Sequence, residues 1–140
     1  KELALRIVSD GEGAKKCVLI YLKGAESKKE ARKAVNKLSN SLLFKTMLNG
    51  EDPNWGRIIA SLGASKIEML TEEIDIYFNN LALVRNGELT SKENEEKVAE
   101  IMKKQRYTIT IDLNKGKSSY YCYTCDIGHK YIEINADYRT

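Results

Sequence analysis

The sequence is poor in the residue types that mark several specialised protein classes. Among 140 residues there are three cysteines, one proline and one histidine. An odd and low cysteine count does not fit the disulfide framework of a small secreted protein. With one histidine and no phosphate-binding glycine loop, the residues show no Ser–His–Asp arrangement and little equipment for nucleophilic catalysis.

The sequence also lacks a long apolar run and a large excess of one charge. No apolar stretch approaches the ~20 residues of a membrane span, and the opening KELALRI carries charges where a signal peptide would be apolar. Basic residues number 23 and acidic residues 20. The densest basic stretch, Lys28 to Lys37, is interpreted as the solvated face of one helix. We therefore expect a cytoplasmic protein with no nucleic-acid partner and no membrane partner.

The residues that are present indicate one folded region. Hydrophobic residues make up 42% of the chain and charged residues 31%, as in soluble globular domains. The chain begins with Lys1 inside an apparent helical pattern, so we interpret it as a fragment or a processed chain.

Hydrophobic periodicity predicts both strands and helices. The apolar run from Lys16 to Leu22, ended by Gly24, predicts a strand buried on both faces. Strict alternation over 107–113 predicts a half-buried strand, and Asn86-Gly87 between two short apolar runs predicts a hairpin. Because the strands cluster after residue 70 with hairpin turns between them, we expect an α+β fold with a mixed or antiparallel sheet and helices packed on it.

Capping patterns predict where the helices begin. Ser27 and Thr90 each precede a glutamate three residues later, the signature of a capping box. Asp52-Pro53 predicts a third helix, because Asp can cap a helix and Pro suits its first turn. The apolar stretch 41–48 fits either a short strand or a helical turn, and both remain open.

The cysteines are the first candidates for chemistry. Cys122 and Cys125, with Cys17 and His129, would supply three sulfurs and one nitrogen for zinc. If 118–126 is a strand, however, residues three apart point to opposite faces. The CxxC pair then cannot hold one ion or act as a redox pair without a turn between its members. Buried, unreactive thiols are therefore the favoured interpretation, and no metal site is predicted.

Three segments combine glycine, charge and hydrogen-bonding residues. Asp10-Gly11-Glu12-Gly13 sets a carboxylate between two glycines, where backbone can approach a ligand, although Asp-Gly is also a common turn pair. Residues 49–57, NGEDPNWGR, combine a turn with a helix start, which favours anions. Residues 134–140, INADYRT, could anchor a ligand's polar groups or simply hold the chain end.

Taken in order, SDGEGAKK, NGEDPNWGRI and INADYRT resemble the carboxyl-terminal part of the ornithine acetyltransferase (glutamate N-acetyltransferase) family over essentially the whole chain. The resemblance implies the C-terminal portion of that family's fold and an acyltransferase activity of arginine biosynthesis. In the family, acetyl passes from N-acetylornithine to glutamate in a ping-pong cycle. The nucleophile is the N-terminal Thr of the beta chain, which autocatalytic cleavage of a precursor exposes.

Several expectations for this chain follow from the resemblance. No catalytic residue is expected here, since that Thr would lie upstream of Lys1, and the isolated chain is expected to be inactive. No cofactor is implied, apart from acetyl-CoA as the acetyl donor of some members. Glu12, Asn135 and Thr140 match residues that contact substrate, and Glu12 would pair with a substrate ammonium group. Residues 52–57 match a signature that we interpret as structural support, whereas Asp126-Ile127-Gly128 departs from the family's usual Asp-Leu-Thr.

The resemblance also implies partners and a domain arrangement. The partners are the alpha chain and the remainder of the beta chain, in an alpha2beta2 heterotetramer. Residues 1–25 would continue an upstream catalytic domain, and residues 26–140 would form a C-terminal domain. Two alternatives stay open: a small cytosolic metal or redox module using Cys122 and Cys125, and a non-catalytic interaction domain.

Overall fold

A computed structural model describes residues 13–137 of the chain. The strands, in chain order, are β1 Cys17–Ala25, β2 Asp75–Phe78, β3 Leu81–Arg85, β4 Glu88–Leu89, β5 Arg106–Asp112 and β6 Ser118–Cys125. The helices are α1 Lys28–Ser39, α2 Leu42–Gly50, α3 Trp55–Gly63, α4 Lys92–Met102 and α5 His129–Asp137, with a short 3-10 helix at Thr71–Glu73. Within these described residues, no helix is long and apolar enough to cross a membrane.

The strands form one mixed sheet of six, in the order β4-β3-β2-β5-β1-β6. Strand β1 pairs in parallel with β5 and antiparallel with β6, and the remaining neighbours are antiparallel. Helix α1 packs on β1 and β6, α2 and α3 pack beside α1, and α4 packs on β3. The predicted α+β class with a mixed sheet is confirmed. The predicted division at residue 25 stays a prediction.

Strand β1 lies between β5 and β6, and its burial alternates: Leu19 and Tyr21 on the second face are only partly buried, so the predicted burial on both faces is not confirmed. Val18, Ile20 and Leu22 are fully buried in the core. The sequence predicted that the strand ends at Gly24, but it continues to Ala25. Gly24 has a φ of 75°, and its carbonyl accepts hydrogen bonds from two backbone N–H groups of the turn after β5, each at 2.8 Å. It is therefore an irregularity within the strand, where a side chain would be strained.

Of the two predicted capping boxes, one caps its helix and the other does not. The Ser27 hydroxyl caps α1 as predicted, accepting from the backbone N–H of Glu30 at 3.1 Å. Helix α4 is capped by Ser91 and not by Thr90. The Thr90 hydroxyl instead donates to the carbonyl of Ala82 in β3 at 2.7 Å. The hydroxyl that the predicted capping box requires is therefore bonded to the sheet.

The stretch 41–48 is helical, and this displaces the start of the next helix. Helix α2 ends with Glu51 in the left-handed conformation, with a φ of 54°. The Asp52 N–H then bonds back to the carbonyl of Met47 at 3.4 Å. Asp52-Pro53 thus completes the turn after α2, and α3 begins only at Trp55, with Asn54 as its N-cap. The prediction that Asp52 caps this helix is wrong.

The predicted hairpin at Asn86-Gly87 is confirmed. Strands β3 and β4 pair directly across it, and both turn residues have positive φ, 51° and 74°. Positive φ at both positions is the conformation that asparagine and glycine adopt most readily.

Candidate functional site

The structure places only part of the predicted substrate-binding set. Glu12 and Thr140 lie outside the described residues, and Asn135 is placed by its backbone alone, in α5. The predicted contacts of these three residues with substrate therefore stay predictions. The structure does describe the residues that follow Glu12, and it places them close to α2 and to the first turn of α5.

Asp126 connects the segment that follows Glu12 to the end of α2. Its Oδ1 accepts hydrogen bonds from the backbone N–H groups of Lys15 and Lys16 at 2.8 and 2.9 Å. Its Oδ2 accepts one from Nδ2 of Asn49 at 2.7 Å. The residue is 3% exposed, and hydrogen bonds to a charged acceptor are the strong ones. We name this cluster the Asp126 junction, which comprises Lys15, Lys16, Asn49, Glu51 and Asp126.

An ion pair between a buried lysine and a partly exposed glutamate completes the junction. The Nζ of Lys16 lies 2.8 Å from Oε1 of Glu51 and donates to the carbonyl of Lys104 at 3.1 Å. Lys16 is 4% exposed, whereas the Glu51 side chain is 38% exposed. A buried ammonium is tolerated only when it is paired and hydrogen-bonded. Glu51, which makes this contact, is the left-handed residue that ends α2.

Two glycines allow the segments to approach closely around the junction. A Cβ at Gly13 would lie 3.1 Å from Cβ of Lys130 in α5, and the φ of Gly13 is 69°. A Cβ at Gly128 would overlap the side chain of Asn49. The last residue of the DGEG segment therefore packs directly on the helix that contains Asn135. The residues after Glu12, the end of α2 and the first turn of α5 therefore lie together at the junction.

A tyrosine hydroxyl is buried near the junction without a hydrogen bond. Tyr107 is 5% exposed, and within the described part of the chain its hydroxyl has no hydrogen-bond partner. Burial, together with the negative charges of Asp126 and Glu51, raises the pKa of Tyr107 well above its usual range. The ring itself is well packed, stacking on Phe78 with the centroids 6.0 Å apart.

Tyr107→Phe is expected to raise the free energy of unfolding by about 1 kcal/mol, because it removes a buried polar group that lacks a partner and keeps the stacked ring. Chemical denaturation of both proteins measures this change. Tyr77→Phe is the matched control: the Tyr77 hydroxyl accepts from Arg85 at 3.0 Å on the surface, so its removal should be neutral or slightly destabilising. A loss of stability in Tyr107→Phe would mean that the hydroxyl is in fact paired.

The NGEDPNWGR segment also holds α2 against α3. The Nη1 of Arg57 donates to the carbonyl of Leu43 and to the hydroxyl of Thr46, both at 3.3 Å. Trp55 packs against the core from the first turn of α3. These contacts agree with the interpretation of this signature as structural support.

Sequence reasoning assigned no role to Asp126, Lys16 or Tyr107. Asp126 appeared only within a local departure from the family pattern, and Lys16 only as the first residue of a predicted strand. One usable signal was present: a lysine at the edge of a buried apolar run needs a carboxylate partner. The sequence alone does not show which carboxylate supplies it.

The cysteines do not form a CxxC site. Cys122 and Cys125 both lie in β6, three residues apart, and so point to opposite faces of the sheet, as predicted. Cys122 packs against the core. Burial raises the pKa of the Cys122 thiol, and a hydrogen bond with Ser39 partly opposes this shift. This geometry gives no support to a metal or redox module built on the pair.

A separate cleft of about 660 Å³ lies between α1 and α3. Its lining includes Lys33, Lys37 and Lys66 but no residue of the Asp126 junction. Helices α1 and α3 both end at this cleft, and Lys37 in the last turn of α1 interacts favourably with the negative end of that helix dipole.

The fold is that of a class of α+β proteins known from crystallography. Arginine biosynthesis bifunctional protein argJ from Bacillus halodurans has the same fold, with a TM-score of 0.89 and 34% identity. The match covers 98% of this chain and 64% of that one. The model of the ArgJ family matches residues 1–140 of the sequence, so the chain belongs to the ArgJ family. The resemblance to ornithine acetyltransferases is thereby confirmed.

Two curated relatives show how much of such a protein this chain represents. Arginine biosynthesis bifunctional protein ArgJ of Chlorobaculum tepidum is 45% identical over 99% of this chain and 34% of its own length. Glutamate N-acetyltransferase of Methanococcus vannielii is 45% identical over 99% of this chain and 36% of its own length. The chain thus spans about a third of the length of these relatives.

Proposed function

We propose that the chain is the C-terminal part of a glutamate N-acetyltransferase, an acyltransferase that moves acetyl from N-acetylornithine to glutamate in arginine biosynthesis. The observation that carries the proposal is the Asp126 junction, which holds the residues after Glu12 against α2 and the helix that contains Asn135. The names of the two curated relatives support the same activity.

In this proposal Glu12, Asn135 and Thr140 form one side of the substrate pocket. A carboxylate flanked by glycines suits the ammonium group of an amino-acid substrate, because charge-assisted hydrogen bonds are strong and the glycines leave room for the ligand. The Asn135 amide and the Thr140 hydroxyl add hydrogen bonds that orient the substrate.

The remaining machinery belongs to other parts of the protein. The nucleophilic Thr lies upstream of Lys1, and autocatalytic cleavage exposes it as the N-terminus of a beta chain. The partners are the alpha chain and the rest of the beta chain, assembled as an alpha2beta2 heterotetramer in the cytoplasm. No cofactor is needed, and acetyl-CoA is the alternative acetyl donor if the enzyme is bifunctional.

The isolated 140-residue chain is expected to show no acetyl transfer from N-acetylornithine to glutamate, because the proposed nucleophilic Thr lies upstream of it. The complete enzyme is expected to form N-acetylglutamate, and chromatographic detection of that product measures both. Circular dichroism of the isolated chain is the control, because it shows whether an inactive sample is folded. Product formation by the isolated chain would contradict the proposal.

A further inference from the structure

Cys17 and Cys125 lie directly opposite each other on neighbouring strands. The register of the antiparallel pair β1 and β6 sets Cys17 against Cys125. Directly opposed residues of an antiparallel pair point to the same face of the sheet. Both thiols are free. The cysteine that faces Cys125 is therefore the distant Cys17 and not its CxxC neighbour.

The hydrogen bonds of β1 show which kind of opposed pair this is. The N–H of Cys17 donates to the carbonyl of Gln105 at 2.9 Å, on the β5 side of the strand. The N–H and C=O of one strand residue point to the same side, so Cys17 makes no ladder bond to β6. Pairs of this non-hydrogen-bonded kind have Cα atoms only about 4.5 Å apart and side chains close together. That separation falls within the range of roughly 4.4–6.8 Å found in disulfides.

The two thiols differ in access to solvent. Cys17 is 4% exposed, whereas Cys125 is only partly buried. A small oxidant would therefore reach Cys125 first, with Cys17 positioned next to it as the second thiol. Reversible oxidation of cysteine follows this arrangement of an accessible thiol beside a resolving one.

We propose that Cys17 and Cys125 form a reversible disulfide when a hydroperoxide oxidises the protein. The sulfur of Cys125 attacks the peroxide, the O–O bond breaks, and Cys125 becomes a sulfenic acid while water or an alcohol leaves. The sulfur of Cys17 then attacks the Cys125 sulfur and displaces hydroxide, which takes the Cys17 proton and leaves as water. The two sulfurs are oxidised and the peroxide is reduced. This site is independent of the proposed acetyl transfer.

The cross-link would join β1 to β6 beside the Asp126 junction. Lys16 precedes Cys17 and Asp126 follows Cys125 in the sequence, and these neighbours are already hydrogen-bonded. A disulfide here closes a loop that contains most of the described chain, and long loops gain the most stability from closure. Oxidation is therefore expected to raise Tm by several degrees, and a thiol reductant should reverse the rise.

The test treats the intact protein with hydrogen peroxide, alkylates the remaining thiols after denaturation, and maps unreduced peptides by mass spectrometry. We expect the Cys17 and Cys125 peptides to be joined and the Cys122 peptide to be alkylated. Cys122→Ser is the matched control and should keep both the cross-link and the Tm shift. Cys17→Ser should lose both and leave a Cys125 sulfenic acid that dimedone captures.

Recovery of Cys17 and Cys125 as separate alkylated peptides from the folded, peroxide-treated protein would overturn the proposal. Conversion of Cys125 to a sulfinic acid while Cys17 stays free would overturn it as well. Both outcomes are measured on the wild-type protein, so the proposal remains testable even if a serine variant does not fold.

Discussion

Asp126→Ala is expected to lower the free energy of unfolding by about 3 kcal/mol. The substitution removes the acceptor of three hydrogen bonds, two of them from the adjacent backbone N–H groups of Lys15 and Lys16. Each buried donor left without a partner costs about 1–3 kcal/mol, and solvent relieves part of that cost at Lys15. Denaturant unfolding that compares midpoints at an unchanged m-value measures the loss.

Two further variants serve as controls. One keeps a hydrogen-bond acceptor at position 126 without the charge, and the other removes an aspartate outside the junction. Asp126→Asn keeps an acceptor for the backbone N–H groups, so its loss should be about 1 kcal/mol. Asp112→Ala removes a carboxylate that accepts from the exposed N–H of Asn114 at 2.9 Å, and its loss should also stay near 1 kcal/mol. If Asp126→Ala unfolds at the wild-type midpoint, the junction does not stabilise the fold.

The parts of the fold that depend on neighbouring residues could be predicted from the sequence. Asn86-Gly87 specifies its own hairpin, because both residues accept positive φ at little cost. The alternation over 107–113 specifies a strand with one buried face, and β5 has that pattern. The Ser27 cap is likewise a contact between residues three positions apart.

The parts that depend on distant residues could not be predicted. Thr90 has the local pattern of a cap, but its hydroxyl is taken by the carbonyl of Ala82 in β3. Asp52-Pro53 has the pattern of a helix start, yet the preceding helix ends at Gly50 and the Asp52 N–H bonds back to its Met47 carbonyl. Local patterns show which groups are able to bond, and tertiary packing decides which bond they make.

The Asp126 junction shows the same limit at the candidate site. Asp126 binds the backbone of Lys15 across 111 positions of sequence and the Asn49 amide across 77. A single aspartate after a strand carries no periodic signal, so no pattern in one sequence identifies its partners. The family resemblance identified the residues expected to touch substrate, and the structure shows what positions the backbone that follows one of them, Glu12.

In the complete enzyme, Glu12→Ala is expected to raise KM for N-acetylornithine by about tenfold to a hundredfold. This prediction depends on the proposed function. A hydrogen bond to a charged group contributes about 1.5–3 kcal/mol, and about 1.4 kcal/mol corresponds to a factor of ten. A contact made equally in the ground state and in the transition state changes KM and leaves kcat nearly constant. Steady-state kinetics at saturating glutamate measures both constants.

The paired variants for this prediction test charge and position separately. Glu12→Gln keeps the size of the side chain and removes its charge, so KM should rise nearly as far as in Glu12→Ala if the carboxylate binds an ammonium group. Glu26→Ala is the matched control, because Glu26 is exposed between β1 and α1, and it should leave both constants unchanged. Because Gly13 packs on α5 immediately after Glu12, each variant also needs a wild-type Tm before its kinetics are interpreted. With that Tm established, unchanged KM and kcat in Glu12→Ala would remove Glu12 from the substrate site.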